Sequence, residues 1–190
     1  MGMEILHRIR DCTICRDHLP HGVNPVLAAH PESRVAIIGQ APGSIVHRTG
    51  IPWDDKSGDR LREWLGVSVE EFYDARNFAI IPMGFCYPGK GKSGDLPPRP
   101  ECAPQWHGIL LEQLTNLGLT LLIGQYAQAR YLGERRKRTL TETVRSWKEY
   151  LPDKLLVLPH PSPRNNIWLR KNPWFEAEVL PELRNIVQRG

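Results

Sequence analysis

The sequence has no apolar run longer than a few residues, far short of the roughly 18 that would suggest a membrane span, and its first residues (MGMEILHRIRDC) lack the apolar stretch of a secretory signal. A soluble, cytoplasmic protein is expected. Only four cysteines are present, too few to staple a chain of 190 residues, and a reducing compartment would keep them as thiols for metal, redox chemistry or packing. No internal repeat or low-complexity linker divides the chain, so a single domain over residues 1–190 is expected. Neither sign of charge is in large excess: 25 Lys and Arg against 21 Asp and Glu leave +4. With a pI near 9.0 the chain leans toward a polyanionic partner, as an ordinary basic enzyme also would. A content of 41% hydrophobic, 24% charged and 8% aromatic residues excludes collagen-like, mucin-like and largely disordered chains.

What is present is an alternation of short apolar runs with helical patterns. Arg34 to Gly39 (RVAIIG), Phe78 to Met83 (FAIIPM), Leu119 to Gly124 (LTLLIG) and Leu155 to Pro159 (LLVLP) read as buried parallel strands. Between and after them lie helical patterns over Ser57 to Leu65, Ser68 to Arg76, Ala103 to Leu117, Gln125 to Leu132 and Phe175 to Gln188. A short helix carrying Cys12 and Cys15 is expected at the start, and Tyr87 to Pro100 (YPGKGKSGDLPPRP) reads as a long loop. The fold class is α/β: a three-layer α/β/α sandwich around a mainly parallel sheet. In such sheets ligands bind beyond the carboxyl ends of the strands, which directs attention to Gln40-Ala41-Pro42-Gly43, Pro82-Met83-Gly84, Gly124-Gln125 and His160 to Asn165.

Two of these segments, GQAPG (Gly39 to Gly43) after the first strand and HPSPRN (His160 to Asn165) after the last, resemble the uracil-DNA glycosylase superfamily. Gly50-Ile51-Pro52-Trp53, followed by Ser57-Gly58 and Leu61, is similar to the family's Gly-x-Pro-aromatic segment and its following helix. Cys12 and Cys15, separated by two residues, and Cys86 and Cys102, separated by fifteen, resemble the iron–sulfur branch of that superfamily. The resemblance implies a [4Fe–4S] cluster on Cys12, Cys15, Cys86 and Cys102 that shapes DNA-facing loops; tetrahedral zinc suits the same thiolates. It also implies a monomeric, monofunctional glycosylase acting on DNA that contains a damaged base. No Lys stands in the strand-end motifs to serve as a Schiff-base nucleophile.

The chemistry follows from the residues. A base cannot be cut from its sugar while stacked, so it must be flipped into a pocket. Breaking the N-glycosidic bond leaves positive charge on the sugar and negative charge on the base, and that anion needs preorganised donors. A neutral His160 and the backbone of the Gln40–Ala41 turn would supply them, with Trp53 as a stacking face and Met83 beside the base. The motif-one acid used by several branches is replaced by Ala41, the Glu common in the iron–sulfur branch by Gln40, and a base-reading Asn would fall near Pro82. Asp55, after Trp53, is the candidate replacement carboxylate. Lys90, Lys92 and Arg99 in the long loop, with Ser162, Arg164 and Asn165 after His160, are candidate DNA contacts.

Each residue has a plainer reading beside this one. His160 could be a capped loop histidine, Trp53 a core aromatic, Gln40 a turn residue, Asp55 a helix cap, and Glu134 to Arg138 (ERRKR) a solvated face. A non-catalytic damage-sensing module on the same fold, and a thioredoxin-like protein built on Cys12-Thr13-Ile14-Cys15, are the competing functions.

Overall fold

The computed structural model describes residues 3–190; Met1 and Gly2, which begin the stretch searched for a signal sequence, lie outside it. In chain order the elements are α1 (Glu4–Arg10), β1 (Val35–Ile38), α2 (Ser44–Thr49), α3 (Lys56–Leu65), α4 (Val69–Tyr73) and β2 (Phe78–Ile80). A hairpin of β3 (Lys90–Gly91) and β4 (Gly94–Asp95) follows, then α5 (Cys102–Glu112), β5 (Leu119–Ile123), α6 (Gly124–Leu132) and α7 (Leu140–Arg145). The chain closes with β6 (Leu155–Leu158), α8 (Asn166–Lys171) and α9 (Leu180–Arg189).

The central sheet is parallel throughout, in the order β2-β1-β5-β6, with Val35 paired to Phe78 on one side and to Leu119 on the other. Successive strand residues face opposite ways. Val35 and Ile37 join Phe78, Ile80 and Leu121 in a core closed by Leu61, Trp64 and Leu65 of α3 and by Phe175. Ala36, Ala79 and Ile81 belong to a second core with Ile5, Leu6 and Ile9 of α1 and Trp106 and Leu110 of α5. These two cores are the filled spaces of the expected three-layer sandwich. At the β2 edge the extended chain near Ala28 pairs with Ile80 through two backbone hydrogen bonds of 3.0 and 2.6 Å, which covers the open strand.

Several elements differ from the sequence reading. The first helix stops at Arg10, where the N–H groups of Asp11 and Cys12 turn back to His7 and Ile9, so Cys12 and Cys15 sit in irregular chain beyond it. The loop from Tyr87 contains the β3–β4 hairpin, too short to show a strand period. α5 ends at Glu112 rather than Leu117. The closing helix is interrupted: Pro181 has no N–H to donate one turn back, and the preceding Phe175–Val179 is π-helical. α7, capped by the Thr139 hydroxyl accepting from Glu142 N–H at 3.1 Å, and α8 were hidden by their brevity.

Because the chain passes from β1 to β2 on one side and then returns across β1 to β5, the direction of winding reverses at β1. A crevice opens at such a switch point, beyond the carboxyl ends of the strands.

Candidate active site

That crevice holds a cavity of about 420 Å³. Its lining brings together most of the predicted site: Gln40 and Ala41 after β1, Trp53 and Asp55 before α3, and His160, Ser162, Arg164 and Asn165 after β6. Met83 is not among the lining side chains; it packs against the core, and its N–H donates to the Gly39 carbonyl at 2.9 Å. Pro82, Ile80 and Val26 form that wall instead. Asp95, which the sequence reading did not single out, also lines the cavity. Nothing in the composition of its loop marks it; only the folding back of the hairpin brings it there.

His160 is held from three sides. Its Nδ1 accepts the Ser162 backbone N–H at 3.1 Å, and its carbonyl accepts from the Asn165 side-chain amide at 2.7 Å. Arg60 of α3 braces the same loop, donating to the Ser162 carbonyl at 3.3 Å and to Asn166 at 2.7 Å. An Nδ1 that accepts places the proton of the neutral ring on Nε2. Burial lowers the His160 pKa, and the charge of Asp55 opposes that shift only in part. The ring is therefore a neutral donor at pH 7.

Trp53 faces His160, with ring centroids 5.6 Å apart and planes inclined by 32°. Its backbone is left-handed, with φ 58°, a conformation uncommon for a bulky residue. The surroundings enforce it. The Trp53 carbonyl accepts from Arg62 at 3.2 Å, and the Tyr73 hydroxyl, itself contacted by Arg62, donates to the Pro52 carbonyl at 2.9 Å. A Cβ on Gly58 would lie 1.7 Å from the Trp53 carbonyl oxygen, and one on Gly39 would lie 2.9 Å from its indole. Both glycines are needed for this close approach. Asp55 caps α3, its Oδ1 accepting from Gly58 N–H at 2.8 Å, so the capping reading of Asp55 and its place in the cavity both hold.

The basic candidates separate. Lys90 and Lys92 are exposed on the hairpin. Arg164 donates to the Ser93 carbonyl at 2.8 Å and ties that hairpin to the loop carrying His160. Arg99 is committed elsewhere: its guanidinium pairs with both Glu101 oxygens at 2.6 and 3.1 Å, beside the cysteines. In the Glu134 to Arg138 run, Arg135 pairs with Asp153, Lys137 with Glu149 and Arg138 with Glu142, the pattern of a solvated face.

Cys12, Cys15, Cys86 and Cys102 line one small second pocket, walled by Ile9, Leu19 and Phe85. None forms a disulfide. Burial first, and then the neighbouring Cys102, pushes the Cys15 thiol up to about 12; burial likewise raises Cys86 and Cys102. Four thiolates can share this pocket only against a compensating cation, and four sulfur donors are the chemistry by which iron–sulfur clusters and structural zinc are held in proteins. Among the described residues no three His, Cys, Asp or Glu side chains stand together as a ligand set for a single ion. No described helix is long and apolar enough to cross a membrane.

The glycine-rich loop after β1 and the His160 loop after β6, which supply much of the switch-point cavity, lie within residues 28–184, which match the family model described as the uracil DNA glycosylase superfamily, and the chain belongs to that superfamily.

Proposed function

We propose that the protein is a monofunctional DNA glycosylase that hydrolyses the N-glycosidic bond of a deaminated base, uracil or a related one, flipped out of DNA. Members of the superfamily are generally hydrolytic DNA glycosylases that act on DNA. The observation that carries the reading is the tautomer of His160: Ser162 N–H fixes Nδ1 as acceptor, leaving a neutral Nε2–H donor on a residue that lines the switch-point cavity. Such a donor stabilises a departing base anion more than the intact base, so its effect is concentrated in the transition state. Trp53 offers the stacking face, and Gln40 and Ala41 the opposite wall. With Pro82 where a base-reading amide would fall, and no acid in Gly39 to Gly43, uracil is one candidate among the deaminated bases.

Cys12, Cys15, Cys86 and Cys102 would hold a [4Fe–4S] cluster, with structural zinc as the other occupant; either would fix both ends of the loop that carries the hairpin. The likeness of the four cysteine positions to the iron–sulfur branch favours the cluster. The thioredoxin-like reading is disfavoured, because Cys12-Thr13-Ile14-Cys15 precedes β1 rather than following a strand, and because it leaves Cys86 and Cys102 without a role. A monomer in the cytoplasm, whose reducing conditions keep thiols free, completes this reading.

The test is release of free base, read by mass spectrometry, from oligonucleotides carrying uracil, hypoxanthine, xanthine or a thymine mismatch. One base released with an abasic site left behind supports the reading. DNA bound with no base released would make the protein a damage-sensing module.

A further inference from the structure

Hydrolysis of a glycosidic bond needs a group that holds the water and faces a cationic sugar, and the loop after β1, with Ala41, provides no acid. Two carboxylates line the cavity, Asp55 and Asp95. Asp55 is engaged: Oδ1 accepts from Gly58 N–H, and its charge acts on His160, where the negative charge of the leaving base would gather. An anion at that end opposes the reaction.

Asp95 stands at another part of the wall. It is exposed at the end of β4 beside Gly43, where a Cβ would stand in ordinary contact, 3.5 Å from its Oδ2. Arg164 holds the hairpin over the cavity through Ser93, and packs so closely that a Cβ on Gly94 would lie 2.5 Å from its Nη1. At the neck of the hairpin Leu96 N–H donates to the Gly89 carbonyl at 2.8 Å. Asp95 faces buried Tyr87, whose pKa is raised by burial first and then by the Asp95 carboxylate, and whose ring stacks on His21 at 5.2 Å. The hairpin is thus tied to the His160 loop through Arg164 and closed at its own neck.

We propose that Asp95, delivered by the β3–β4 hairpin, is the carboxylate that positions the attacking water and faces the sugar cation. This rests on the excision reading. The C1′–N bond breaks and its electron pair leaves with the base, which His160 Nε2–H stabilises. The water oxygen bonds to C1′, its proton passes to Asp95 and on to solvent, and the base anion takes a proton from solvent. Free base and a sugar hydroxyl result.

The experiment compares binding of DNA carrying a protonated pyrrolidine abasic analogue with DNA carrying the neutral tetrahydrofuran analogue, by fluorescence anisotropy, for the wild type, Asp95→Asn and Asp55→Asn. Single-turnover excision is measured alongside. The wild type is expected to prefer the cationic analogue by on the order of tenfold. Asp95→Asn should remove that preference, leave tetrahydrofuran affinity unchanged and slow excision by about a hundredfold, while Asp55→Asn keeps the preference. A wild type without the preference, or a preference that survives in Asp95→Asn, overturns the assignment whether or not base is released. A preference that depends on Asp95 without any base release would keep Asp95 in the site and overturn the excision reading instead.

Discussion

The Ser162 backbone N–H donates to Nδ1 of His160 at 3.1 Å, and this bond decides which ring nitrogen carries the proton. The loop Pro161-Ser162-Pro163 turns the chain back on the histidine so that its own backbone sets the tautomer. Burial keeps the ring neutral. A protonated His160 would have no acceptor for its second proton at Ser162, so acid both breaks the brace and changes the donor.

The first prediction is a pH profile. The His160 pKa is lowered by burial from its ordinary value of about 6.5, so excision should be level through neutrality and fall only at a pH below that of a free imidazole's titration. Single-turnover rates measured from pH 8 to pH 4 check it; a rate that rises into acid would assign the histidine a charged working form.

His107 gives a separate, stability-based signature. It is 1% exposed, hydrogen-bonded to the Pro82 carbonyl at 2.9 Å and to Tyr131 at 2.6 Å, and burial lowers its pKa to about 4. The unfolded chain takes up the proton near 6.5 and the folded one near 4, so the contribution is full above 6.5 and is lost as pH falls toward 4. The loss is about 3 kcal/mol. Urea midpoints across that window should fall, and fall less steeply in His107→Phe.

Gly58→Ala and Gly39→Ala should differ in kind. At Gly58 the added Cβ meets the Trp53 carbonyl, which is backbone and cannot swing away, so a loss of about 3 kcal/mol is expected in urea unfolding. At Gly39 it meets the edge of the indole, which can tilt. That variant should fold and lose excision rate.

Removal of Lys90 and Lys92 should reduce the salt dependence of DNA binding by about 0.9 in slope for each phosphate that is no longer neutralised. Arg99→Ala should leave the slope unchanged, because that guanidinium is already paired with Glu101. Anisotropy titrations over a range of salt concentrations distinguish the two.

Protein purified without oxygen should be brown and lose its colour in Cys86→Ser. Colourless protein with one zinc would keep the site and change the metal.

The sheet and the two motif loops were legible because buried parallel strands are short apolar runs, and RVAIIG and LLVLP are bounded by turn residues. His160 followed from its position after the last strand, and Trp53 from the likeness of Gly50-Ile51-Pro52-Trp53 to the superfamily's Gly-x-Pro-aromatic segment. What stayed hidden depended on long-range folding. Asp95 looked like one acid in a Pro/Gly loop until Arg164, distant in sequence, drew its hairpin over the cavity. Arg99 looked like a free cation until its neighbour Glu101 was seen to hold it. Arg60 and Arg62 carry no mark in the helical pattern over Ser57 to Leu65, yet one braces the His160 loop and the other supports Trp53.

The most direct measurement of the central claim is single-turnover excision of a deaminated base by the wild type and by His160→Ala, with affinity for abasic-site DNA measured in parallel. A fall in rate of about a hundredfold to a thousandfold with affinity close to wild type is predicted, since the Nε2–H donor acts mainly on the departing anion. Excision by His160→Ala at the wild-type rate would contradict the account and leave His160 a structural histidine of the loop.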